Sequence, residues 1–118
     1  LLKGMKPSTR QRFVSLRFDY PSEDAEQTIV VEESGCDRDL AQQLVSLATA
    51  LRNLKDHDLE EAASTRLLIH TALLIRAGLP TAAACRAGMI EPLSDDEATV
   101  SSLMEVVYAV FGRPEETR

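Results

Sequence analysis

The sequence contains no tryptophan, only 4% aromatic residues and only two cysteines in 118 positions. Cys36 and Cys85 stand far apart and neither belongs to a C-x-x-C pair, so a zinc knuckle and a thioredoxin-like redox motif are both excluded. Two free, buried thiols are the expectation. No apolar run approaches the ~20 residues that a membrane helix needs, and no signal-peptide pattern opens the chain. A soluble, cytoplasmic protein without direct membrane insertion is therefore expected. Also missing is any G-x-x-x-x-G-K-[ST] loop, the backbone cradle for nucleotide phosphates. Nor is there a cationic excess: the net charge of −6 argues against nucleic-acid binding, which depends on clustered Lys and Arg displacing counterions.

What is present is a helix-forming composition, 44% hydrophobic and dominated by Leu, Ala and Val. At this length the chain is one domain at most, with room for a core but not for a nucleotide-binding sheet as well. It begins with Leu1 instead of Met, which suggests a piece of a longer protein. The charge is unevenly spread. Lys3, Lys6, Arg10, Arg12 and Arg17 give +5 over the first 18 residues with no acid among them, leaving −11 for the rest. Such a basic edge suits either a neighbour's phosphates or a solvated terminus.

Phe13–Phe18 reads as a strand, because Val14, Leu16 and Phe18 alternate with Ser15 and Arg17 until Tyr20-Pro21 stops the run. A lone strand has unpaired backbone groups, so pairing with a second copy is expected in this segment. Ser22 caps a helix whose first turn holds Glu23, Asp24 and Glu26, with Ile29, Val30 and Val31 as its buried patch and Gly35 as terminator. After Asp37, Leu40, Leu44, Leu47, Leu51 and Leu54 follow at four-three-four-three spacing and line one helical face. That run covers barely two heptads, which favours an intramolecular core seam over a coiled coil.

Ser64 is placed as N-cap of a helix apolar all round (Leu67, Leu68, Ile69, Ala72, Leu73, Leu74, Ile75), which predicts a central position. Gly78 ends it. Pro80 opens a small-residue helix with Ala82, Ala83, Ala84, Cys85, Ala87 and Gly88, suited to close packing and closed by Glu91-Pro92. After Ser94-Asp95-Asp96-Glu97, a last helix turns Val100, Leu103, Met104, Val107 and Phe111 inward. The fold class is thus all-α: a bundle of about five helices over residues 21–112, preceded by one short strand in 1–20 and followed by a disordered tail at 113–118.

Arg66 lies in the first turn of its helix, where the dipole disfavours a cation. Either an anionic phosphate or a surface pairing with Glu60 or Glu61 would compensate. His57, between Asp56 and Asp58, could suggest a metal or acid–base cluster, but adjacent loop residues rarely converge on one ion and His70 sits apart on an apolar helix. No serine has a recognisable base, and no helix presents the basic face of a DNA reader.

Taken in order, Leu1–Val14 with its Lys6-Pro7-Ser8-Thr9-Arg10-Gln11-Arg12-Phe13 segment, Phe18-Asp19-Tyr20-Pro21, Leu59-Glu60-Glu61 before Ser64-Thr65-Arg66-Leu67-Leu68, and Glu91-Pro92-Leu93-Ser94-Asp95-Asp96 resemble the C-terminal third of the NorQ/NirQ/CbbQ group. That group lies within the MoxR branch of AAA+ ATPases. The resemblance covers essentially the whole chain. It implies a lid subdomain with the end of the ATPase core, from a ring-forming homo-oligomer that uses ATP and Mg. With an adaptor protein, the ring would activate or mature a metalloenzyme, either nitric oxide reductase or rubisco. It implies an arginine finger at Arg12, with Arg10 as neighbour and possible substitute, and a sensor-2 arginine at Arg66. The region alone, without phosphate loop or magnesium ligands, is expected to bind no cofactor and to lack ATPase activity. Glu33-Ser34-Gly35-Cys36 and Leu1-Leu2-Lys3-Gly4 lean toward the denitrification side. The competing reading is a helical protein-interaction module without nucleotide chemistry.

Overall fold

A computed structural model describes residues 20–54 and 63–113. Five helices account for most of them: α1 (Glu23–Ser34), α2 (Arg38–Arg52), α3 (Thr65–Arg76), α4 (Thr81–Cys85) and α5 (Glu97–Phe111). Among the described residues there is no strand, so this part of the molecule is an all-α bundle. The expected strand at 13–18, its pairing with a second copy, and residues 114–118 of the expected tail lie outside the described residues. Arg113, placed in that tail from sequence, is held: it pairs with the Glu105 carboxylate at 2.6 Å and lies over the Tyr108 ring.

The helix boundaries follow local chemistry. The Ser22 hydroxyl accepts from the Ala25 amide at 3.1 Å, and the Asp37 carboxylate accepts from Leu40 N–H at 2.8 Å. Asp96 accepts from the Thr99 amide and from its hydroxyl, which holds the Asp96 carboxyl below its ordinary range. Each cap satisfies an amide that has no partner within its helix. At the end of α1, Gly35 has φ +80°, a left-handed conformation that costs glycine little, and its N–H closes on the Val31 carbonyl at 2.8 Å.

Helix α2 is the spine. Leu44, Leu47 and Leu51 are fully buried within the single chain, together with Ala41, Val45 and Ala48, so the leucine stripe is an intramolecular seam. Leu40 and Leu54 pack partly buried at its ends, with Leu54 two residues past the last helical turn. Val100, Leu103, Met104 and Val107 of α5 enter the same core, and Phe111 packs against it. Both cysteines are free and buried, and burial pushes the Cys85 thiol up to about 12.

Two expectations about buried faces are corrected. On α1 the inward stripe is Glu26, Val30 and Ser34, while Ile29 is 37% exposed and Val31 only partly buried. Three consecutive helical residues fan over about 200° and cannot share one face, whereas a spacing of four can. Helix α3 packs on α1, α2 and α4 but is not enclosed all round: Leu68, Thr71 and Ala72 face inward, and Leu73 is 45% exposed.

The small-residue helix also differs from expectation. After one turn, α4 runs into a π turn, Arg86–Ile90, in which the Glu91 N–H reaches the Arg86 carbonyl at 2.8 Å. The wider turn presses Gly88 onto Thr71 of α3. A Cβ at position 88 would overlap the Thr71 hydroxyl and stand 3.2 Å from the Thr71 Cα.

Candidate functional site

Six arginines fall among the described residues, and five are engaged. Arg38 reaches Asp24 and Gln27, Arg52 pairs with Glu26, Arg76 donates to the Ser34 carbonyl, Arg86 pairs with Glu91, and Arg113 pairs with Glu105. Arg66 is exposed, at the second position of α3, with no ion-pair or hydrogen-bond partner among the described residues. The surface alternatives, Glu60 and Glu61, lie outside the described residues, as do Arg10, Arg12 and His57. His70 is exposed on α3, and no group of His, Cys, Asp or Glu among the described residues could hold a metal ion.

The start of α3 is built unusually. Ser64 occupies the N-cap position with extended backbone, φ −88° and ψ 164°, yet its hydroxyl caps nothing. The first turn of α3 also lacks an acid. Tertiary hydrogen bonds hold this helix start instead. The Thr65 hydroxyl donates to Glu26 Oε2 at 2.7 Å, and the Ala63 carbonyl accepts from Arg52 Nε at 2.8 Å. Arg52 also grips Glu26 with both terminal nitrogens, at 3.0 Å to Oε1 and 2.7 Å to Oε2. The Tyr20 ring covers the other side of the guanidinium, 3.7 Å from Cζ to the ring centroid.

The electrostatics are those of a closed cluster. Glu26 is 1% exposed and the Arg52 side chain 10%. Burial by itself would raise the Glu26 pKa. Hydrogen bonds from Arg52 and Thr65, together with the Arg52 charge, outweigh it and hold the carboxyl below its ordinary value of 4.5. No buried side-chain nitrogen or oxygen among the described residues is left without a partner. The cluster therefore joins the first turn of α1, the last residue of α2 and the first residue of α3, and Arg66 is the next residue along.

A family model described as CbbQ/NirQ/NorQ C-terminal matches residues 26–110, a span that opens on Glu26 and includes Arg52, Thr65 and Arg66. The chain belongs to this family. It is 61% identical over 112 residues to the denitrification regulatory protein NirQ of Stutzerimonas stutzeri, covering 95% of this chain and 41% of that protein. To the denitrification regulatory protein NirQ of Pseudomonas aeruginosa it is 63% identical over 107 residues, 91% of this chain and 41% of the relative. To protein NorQ of Paracoccus denitrificans it is 49% identical over 112 residues, 95% of this chain and 42% of the relative. The chain thus spans about two fifths of the length of these curated relatives.

Sequence reasoning singled out Arg66 but missed Glu26 and Arg52 as a pair. Glu26 read as one of three first-turn acids suited to the helix dipole. The available signal was its place at the head of the Glu26, Val30, Ser34 stripe, where an acid on the inward face requires a buried cation. Nothing local in the sequence marks Arg52 as that cation, because the partners are 26 residues apart.

Proposed function

We propose that this chain is the lid and arginine-bearing C-terminal region of a MoxR-type AAA+ ATPase, a chaperone that hydrolyses ATP to activate or mature a metalloenzyme. The observation that carries the reading is Arg66: alone among the described arginines it has no partner among the described residues, and it stands where the helix dipole disfavours it. Amide groups at a helix start and an exposed guanidinium together suit a phosphate. ATP supplies the phosphoryl group, and Arg66 contributes a planar cation to its terminal phosphates from the lid. In this reading the carboxylates for Mg come from the rest of the full-length polypeptide.

Arg12, with Arg10 beside it, is assigned to the neighbouring subunit's nucleotide, where it stabilises charge developing on the γ-phosphate. That role requires a homo-oligomeric ring in the cytoplasm, an adaptor and a metalloenzyme client. The high identity to two NirQ proteins named for denitrification regulation favours nitric oxide reductase over rubisco as the client. The test is ATP turnover by the full-length polypeptide carrying this region. Arg12→Ala is expected to lower turnover by about 10³-fold or more. Arg66→Ala should also impair it, with the helical content of both variants unchanged. Wild-type turnover in both would leave a helical interaction module without nucleotide chemistry.

A further inference from the structure

An ordinary N-cap is a local device: a side-chain oxygen on one residue satisfies an amide two or three residues later and fixes the helix only to itself. The start of α3 has the N-cap residue but not that bond. Its two ties instead run to other helices, from Thr65 to Glu26 on α1 and from the Ala63 carbonyl to Arg52 on α2. They flank Ser64 on either side, so the backbone leading into Arg66 is fixed relative to the bundle. The Tyr20 ring on Arg52 extends the same connection to the segment that leads into α1.

Stability alone does not call for this arrangement. A buried ion pair can usually be replaced by apolar residues of similar volume without loss, because the attraction hardly exceeds the cost of removing both charges from water. What directional hydrogen bonds add is a defined geometry at the atoms they join. Arg66 has no partner of its own among the described residues, so its placement depends on the backbone that carries it.

We propose that Glu26, Arg52 and Thr65 are positioning residues for Arg66, a cluster that sets the first turn of α3 so that the guanidinium meets an anionic phosphate from a fixed backbone. The inference rests on the reading of Arg66 as a phosphate-facing residue. Misplacement of such a group by about 1 Å can cost about 10²-fold in rate.

The decisive variant is Thr65→Val, which replaces the hydroxyl with a methyl group and leaves both Arg52–Glu26 hydrogen bonds in place, so the bundle retains its ion pair. Steady-state ATP hydrolysis by the full-length polypeptide is measured for Thr65→Val, Thr65→Ser, Arg66→Ala and Thr65→Val/Arg66→Ala, with thermal midpoints as the control for folding. The expected result is a loss of about 10-fold to 10²-fold in kcat/KM for Thr65→Val. Thr65→Ser, which keeps the donor, should restore wild-type kinetics, and the double variant should be no worse than Arg66→Ala. Wild-type kinetics in Thr65→Val beside an impaired Arg66→Ala would overturn the positioning role and leave the Arg66 reading intact. Losses that multiply in the double variant would also overturn it, since Thr65 would then act independently of Arg66. An unimpaired Arg66→Ala would remove the phosphate-facing reading itself, and this inference with it.

Discussion

Helix α3 carries an arginine near each end, and the two are treated in opposite ways. Arg76, in the last turn, donates to the Ser34 carbonyl at 3.0 Å and lies against Gly35, so close that a Cβ there would stand 2.6 Å from its Nη1. It sits at the favourable end of its own helix dipole and also serves α1, which ends with Glu32, Glu33 and no basic residue in its last turn. Arg66, in the first turn, sits at the unfavourable end and has no partner among the described residues. Helices α1 and α3 lie parallel and exchange charges: Glu26 serves the start of α3, and Arg76 serves the end of α1. One end is arranged for stability. The other holds an exposed cation on a fixed backbone, the arrangement that the proposed phosphate contact of Arg66 requires.

Removing Arg52 should have the largest effect. Arg52→Ala leaves the Glu26 carboxylate buried beside a single hydroxyl donor, and the expected loss is about 3–5 kcal/mol in chemical denaturation. Glu26→Leu/Arg52→Met should recover most of that loss, because it removes both buried charges and keeps the volume. If the double variant were as unstable as Arg52→Ala, the pair would be serving stability directly, and the contrast between the two ends of α3 would lose its meaning.

Acid provides the next test. The folded-state pKa of Glu26 lies below its ordinary value of 4.5, so the ionised pair contributes its full stability above that pH. The contribution is lost as the pH falls through the folded pKa, because the folded state must then take up a proton that the unfolded state already holds. Unfolding midpoints measured from pH 7 to pH 3 should therefore decline below about 4.5. The decline should be shallower in Glu26→Leu/Arg52→Met, with the remainder carrying the same sign from Asp96, whose carboxyl is also held low by Thr99. Identical pH profiles would show that Glu26 is not ionised in the folded chain.

Much of the bundle is legible in the sequence because its determinants are local. Ser22, Asp37 and Asp96 are recognisable caps, Gly35 is a recognisable terminator, and the leucine spacing of α2 reports its buried face directly. Ser64 shows the limit of such reasoning: its position is right, but its hydroxyl makes no cap, and the neighbouring Thr65 and Ala63 are tied to residues on other helices. The π turn at 86–90 leaves no periodic signal, because it is a single widened turn, and the packing of Gly88 on Thr71 that accompanies it is a tertiary contact. Ile29 and Leu73 are apolar yet exposed, because hydrophobicity alone does not say on which sides a helix has neighbours. Arg66 was legible as an anomaly, a cation at the wrong end of a helix. The buried pair that fixes its backbone was not, because tertiary structure alone brings Glu26 and Arg52 together.

The smallest effects belong to the two arginines of α3, which should change stability with opposite sign. Arg76→Ala removes a charged hydrogen bond to a helix-terminal carbonyl and a favourable dipole interaction, and it should cost about 1–3 kcal/mol. Arg66→Ala removes an unfavourable dipole interaction and no partner among the described residues, and it should stabilise the bundle by about 0.3–1 kcal/mol at low ionic strength. Salt separates the two further. The Arg66 effect, exposed to solvent, should shrink as ionic strength rises toward 1 M, where screening acts within about 3 Å. The partly buried Arg76 contact should persist. A destabilised Arg66→Ala would mean that this arginine has a structural partner, and the case for a phosphate at the start of α3 would then rest on the family alone.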